Sequence, residues 1–146
     1  MRKVLAVVVA SLSLPALALG AGQAMSPVVS AKLKGSAEVP KGDPDGRGLV
    51  ILHLNANKAT ACWEFKGVAK IGKPTAAHIH KGRKGVAGPV VVPLGTTTYK
   101  VQGCRKSTKA LIEAIETNPN RYYVNIHNAR YPGGAIRGQL VVGMTG

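Results

Sequence analysis

Glycine, proline and Asn or Asp turns punctuate this chain so closely from residue 28 onward that only short segments lie between them. There are 18 glycines and 9 prolines in 146 residues. Either residue in a helix interior costs about 1 to 3 kcal/mol, so long helices have almost nowhere to form. The segments that remain alternate apolar with polar side chains, or are rich in Val, Ile, Tyr and Trp, which is the pattern of β-strands. The chain reads as an all-β domain of antiparallel strands.

Val28 to Lys34 is the first strand and leads into Glu38-Val39-Pro40. Lys41 to Gly48 reads as a loop, and Leu49 to Leu54 as a strand apolar on both faces, with His53 packed within it. Asn55-Ala56-Asn57-Lys58 turns the chain into a strand where Ala61, Trp63 and Phe65 share one face and anchor the core. Thr75 to His80, Pro89 to Leu94, Tyr99 to Gly103, Arg121 to His127 and Ala135 to Val142 complete the strands. The prolines that bound Pro89 to Leu94 place it at a sheet edge. Ser107 to Glu116 is the one helix candidate, capped by Ser107 or Thr108 and striped by Leu111, Ile112 and Ile115. Asn118-Pro119 ends it. An antiparallel β-sandwich or flattened barrel with one short helix fits this order.

The first 24 residues read differently. Arg2 and Lys3 precede an almost wholly apolar run, Val4 to Leu19, and small residues follow with candidate cleavage points after Ala21 or Ala24. This is the pattern of a secretory signal, which leaves residues 25–146 as one exported domain with no further membrane span. Twenty Lys and Arg stand against 6 Asp and Glu. Such a charge reads first as a solvated basic surface with no dedicated partner, and otherwise draws an exported domain towards anionic cell-surface polymers, membrane head groups or an extracellular protein. It does not make a nucleic-acid binder, because no aromatic residues interleave with the scattered cations.

Cys62 and Cys104 are the only cysteines. In an exported chain they are expected to form one disulfide, closing a loop of about 43 residues worth about 4 kcal/mol in the chain-entropy model.

Three of the four histidines lie in two strands, His78 and His80 in the first and His127 in the second. Alternation sets them opposite Ile79, Val124 and Ile126, on a face shared with Asn125, Arg137 and Gln139. His-x-His on a strand presents two imidazoles on one side, about 7 Å apart at Cβ, and a third from a neighbouring strand completes a three-nitrogen set suited to copper or zinc. The same residues also suit a hydrogen-bonded structural cluster with backbone groups, Asn125 and Glu38. Both readings stay open, with Asn125, Arg137 and Glu38 as groups around the histidines, Arg137 steering anions. No carboxylate pair or Gly-x-Ser-x-Gly elbow gives the chain a hydrolytic centre, so no catalytic residue is assigned. Lys81-Gly82-Arg83-Lys84-Gly85 reads as a solvated turn or an anion cradle. Tyr122, Tyr123 and Tyr131 offer a carbohydrate-facing patch, with core packing the alternative for Tyr122.

Several motifs together resemble the chordin-type CHRD domain: Gly35-Ser36-Ala37-Glu38-Val39-Pro40, Ala77-His78-Ile79-His80-Lys81-Gly82, Gly88-Pro89-Val90-Val91, Tyr123-Val124-Asn125-Ile126-His127 and Pro132-Gly133-Gly134-Ala135-Ile136-Arg137-Gly138-Gln139-Leu140. The resemblance spans about residues 30 to 142. It implies an extracellular β-domain, since the family includes chordin, which binds growth factors, and many exported bacterial proteins. Ala135 departs from the pattern, because an acidic residue often precedes Ile-Arg-Gly. A more distant likeness is to copper–zinc superoxide dismutase, which also has His-x-His on one strand and a later His on another. It implies an immunoglobulin-like or dismutase-like sandwich and is consistent with copper. The long metal-binding loop of that family is missing here.

Overall fold

A computed structural model of the protein describes residues 28–95 and 98–143. The signal segment read at residues 1–24 lies outside them. Nine strands form one sheet: β1 (Val28–Lys34), β2 (Arg47–Asn55), β3 (Thr60–Ala69), β4 (Pro74–Lys81), β5 (Val90–Pro93), β6 (Gln102–Lys106), β7 (Tyr122–Asn128), β8 (Ile136–Gln139) and β9 (Val141–Val142). Their order is β5-β4-β7-β8-β1-β2-β3-β6, with β9 added on β1, and every pairing is antiparallel. One helix, α1 (Lys109–Thr117), packs on β2 and β3. This is the all-β, antiparallel architecture expected, in its flattened-barrel form.

The core follows from alternation and register together. Val29, Ala31 and Leu33 of β1 stand on the same face as Val50, Leu52 and Leu54 of β2 and Ala61, Trp63 and Phe65 of β3, with Val29 opposite Leu52 and Leu52 opposite Trp63. On the other half of the sheet, Ala77 and Ile79 of β4 meet Ile126 and Val124 of β7, and Ile126 meets Ile136 of β8. All these side chains are buried. β8 passes so near β1 that a Cβ at Gly138 would collide with the carbonyl oxygen of Lys32. Only glycine fits there.

Residues 99–101, between β5 and β6, join the two ends of the sheet. The Tyr99 N–H donates to Thr75 on β4 at 2.9 Å, and the Phe65 N–H of β3 donates to Val101 at 2.8 Å. The Tyr99 ring rests 5.4 Å from that of Phe65. This bridge nearly closes the barrel and satisfies backbone groups that an open edge would leave unpaired. It also corrects the strand read at Tyr99 to Gly103. That stretch is mostly crossover, and the ladder starts at Gln102, where Cys104 lies opposite Cys62.

Three smaller corrections have local causes. β2 begins at Arg47, inside the expected loop, because β1 continues to pair with it as far as Lys34. The last strand is two short ones on either side of Leu140, β8 pairing with β7 and β9 with β1. His53 is exposed, not packed. It shares the outer face of the barrel with Cys62, its neighbour across the ladder. The helix is capped as expected, with the Leu111 N–H donating to Thr108 Oγ1 at 3.2 Å, and Ile112 and Ile115 bury its apolar stripe.

Cys62 and Cys104 form a disulfide across β3 and β6, on the solvent side of the sheet, with Cα atoms 3.9 Å apart. It ties the terminal strand β6 into the barrel. Reduction is expected to lower the unfolding free energy by up to about 4 kcal/mol, the loop-closure value for this spacing. Urea unfolding with and without reductant measures it, and unchanged midpoints would show that the staple adds nothing.

Candidate functional site

The strands carry the histidines to one place. In the β4–β7 ladder His78 lies opposite Asn125, and Asn125 in turn lies opposite Arg137 of β8. One step along, His80, Tyr123 and Gln139 form a second row. His127 comes two residues after Asn125 on the same face. This is the polar face read from alternation, lying opposite the apolar core. Most of it is closed to water, with His78 and His127 half-buried. His80 is 8% exposed, Asn125 2% and Arg137 2%.

The cover is the loop after β4, residues 82–89. Its backbone carbonyls turn inward as acceptors: Gly82 for Gln139 Nε2 at 2.8 Å, Arg83 for Arg137 Nη2 at 2.9 Å, and Gly88 for His80 Nδ1 at 2.9 Å. The Gly88 N–H donates to the Tyr123 hydroxyl at 3.1 Å. The stretch read as a turn or anion cradle is therefore a lid whose backbone is committed to the interior.

His78, His80 and His127 each offer a ring nitrogen, and these atoms lie within 4.8 Å of one another. His78 Nδ1 and His127 Nε2 are 2.9 Å apart. His127 Nδ1 is 2.8 Å from the Pro132 carbonyl, and a carbonyl only accepts, so Nδ1 carries the proton and Nε2 is left with its lone pair. His80 Nδ1 faces the Gly88 carbonyl at 2.9 Å and its Nε2 faces Asn125 Oδ1 at 3.0 Å, so its ring proton meets an accepting oxygen on either nitrogen. Burial lowers the pKa of His80. Burial, with the charges of His127 and His80 adding to it, pulls His78 down to about 4. At neutral pH it is an uncharged imidazole, the form that ligates metals.

Around the histidines stands a stack absent from the sequence reading. The Tyr123 ring lies parallel to His80, with centroids 4.7 Å apart, and the Arg137 guanidinium carbon sits 3.3 Å from the Tyr123 centroid. Buried Arg137 thus has an aromatic face as well as a carbonyl for company. Tyr123 shares a strand face with Asn125 and His127, so alternation itself was the signal that placed it here. Tyr122 and Tyr123 are 4% and 3% exposed, which rules out the carbohydrate-facing patch.

Glu38 enters from the short 3-10 turn after β1 and is 6% exposed. Gly134 makes room for it, since a Cβ there would strike the carboxylate. Among the described residues it makes no hydrogen bond to a histidine, and its Oε1 has no partner. Burial drives its pKa up to about 7, against the opposing pull of Arg137. A carboxyl raised on folding binds its proton more tightly in the folded state. It contributes stability below about pH 4.5 that is lost as the pH rises through about 7. Glu38→Gln is therefore expected to unfold at higher urea than the parent near pH 8, with the difference shrinking towards pH 4.5. A difference independent of pH would show that Glu38 does not titrate in this window.

Compared with known proteins, residues 29–140 match the family model of the CHRD domain. No curated protein and no solved structure gives a significant match.

Proposed function

The chain belongs to the CHRD domain family, and for this member we propose an exported module that holds one copper or zinc ion through His78, His80 and His127. The observation that carries the reading is the convergence of three imidazole nitrogens within 4.8 Å, with His127 fixed by a ring N–H donated to a backbone carbonyl and His80 Nδ1 set against another. A carbonyl that accepts from one ring nitrogen sets the tautomer and turns the other nitrogen towards a metal. The donor set has no thiolate and no close carboxylate, which suits Cu(II) or Zn(II) better than calcium or magnesium. Two nitrogens on one tetrahedral ion stand about 3.3 Å apart at ordinary metal–nitrogen lengths. The gap of 2.9 Å between His78 and His127 needs only a small opening. Three protein ligands would leave a further position for water or a small anion. Export rests on the N-terminal signal pattern and accords with the disulfide.

The second reading is a metal-free extracellular binding or structural module. It is favoured by the fact that both ring nitrogens of His80 and of His127 already have partners within the protein. Calorimetric titration of the mature domain, made without a histidine tag, separates the two. One Cu(II) or Zn(II) per chain with micromolar or tighter affinity is expected, weakened at least about tenfold in His78→Ala, as loss of a ligand shell member does. His53→Ala, on the outer face, should leave binding unchanged. If no metal binds, the module reading stands alone.

A further inference from the structure

The lid over the histidine face presents an unusual outer surface. Lys81, Arg83 and Lys84 are exposed along it, and Arg121 is exposed beside it, where the Gly82 N–H donates to the Arg121 carbonyl at 2.8 Å. Among the described residues no ion pair involves any of the four, and the chain's six acidic residues all lie outside residues 81–121 except Glu113 and Glu116 of α1. The cations also stand on a rigid base. The Lys81 N–H donates to Pro89 at 3.0 Å and the Val86 N–H to Arg83 at 3.1 Å, while Arg137 and Gln139 hold the loop from below.

We propose that this lid is a docking surface for a linear polyanion carrying repeated phosphate groups, of the kind found in cell envelopes. A pre-formed loop loses little conformational freedom on binding, so its charges act at small entropic cost. Cations spaced along one strand end and one turn can engage successive anionic groups of a flexible chain, releasing counterions as they do. The only large apolar side chain exposed at the tip is Val86, and no aromatic residue accompanies it, so the loop has no wedge for a bilayer. For the same reason it has no platform for stacked bases. Another basic cleft, lined by Lys70, Lys73 and Arg130, includes Asp43 and is a weaker competitor.

The test uses long-chain inorganic polyphosphate and the mature domain, with affinity followed across a range of salt concentrations. The triple variant Lys81→Gln, Arg83→Gln, Lys84→Gln is expected to bind at least about tenfold more weakly, with a salt slope shallower by about three, one for each cation removed. The control Lys70→Gln, Lys73→Gln, Arg130→Gln removes the same charge elsewhere and should bind nearly as the parent does. Equal losses in both variants would assign the effect to net charge and overturn the proposal. So would absence of polyphosphate binding at low salt, or binding only to vesicles containing phosphatidylglycerol. His78→Ala should keep polyphosphate binding whether or not the histidines hold a metal.

Discussion

The polar interior of this protein depends on one register, that of β4 against β7. It sets Ile79 opposite Val124 and His78 opposite Asn125. A slip of β7 by one residue would turn Tyr122, Val124 and Ile126 out of the core and drive Asn125 and His127 into it. The apolar pairs are fully buried, so the cost of that slip is the loss of several large side chains from the interior. Hydrophobic burial on one face thus decides the geometry on the other. The histidines need no interaction of their own to be brought together.

The second face is buried too, and burial of polar groups has to be offset. Arg137 is the extreme case, a cation 2% exposed. It meets the Tyr123 ring and the Arg83 carbonyl, and Glu38 lies near enough to act on its charge. Tyr123 is shared among three partners, with His80 and Arg137 on its ring and Gly88 at its hydroxyl. Such a network holds its members in one arrangement because each loss leaves a buried group unsatisfied. Glu38 is the member least well served. Burial keeps it close to neutral in a region already dense with donors.

Local patterns made much of this legible in advance. Alternation identified the faces of β3, β4 and β7, Ser107 or Thr108 marked the start of the helix, and two cysteines in a chain read as exported pointed to a disulfide. What sequence could not show is what depends on the backbone at long range. The inward carbonyls of Gly82, Arg83 and Gly88 leave no side-chain signature, so a lid read as a solvated turn. The crossover at Tyr99 to Val101 looked like a strand because its residues favour one, and the barrel's closure assigned it another task. His53 looked buried because Ile51 and Leu52 beside it are apolar, but on the outer face Ile51 is covered and His53 is not.

The lid touches the interior almost entirely through its main chain. None of the hydrogen bonds it makes with Arg137, Gln139, His80 or Tyr123 uses one of its own side chains. Its surface and its underside are therefore chemically independent. Substitutions at Arg83, Lys84, Val86 or Ala87 can change what the protein presents to its surroundings without altering the hydrogen bonds beneath. A fold wired in this way lets the outer surface of the lid change while the hydrogen bonds of the histidine face below it stay in place.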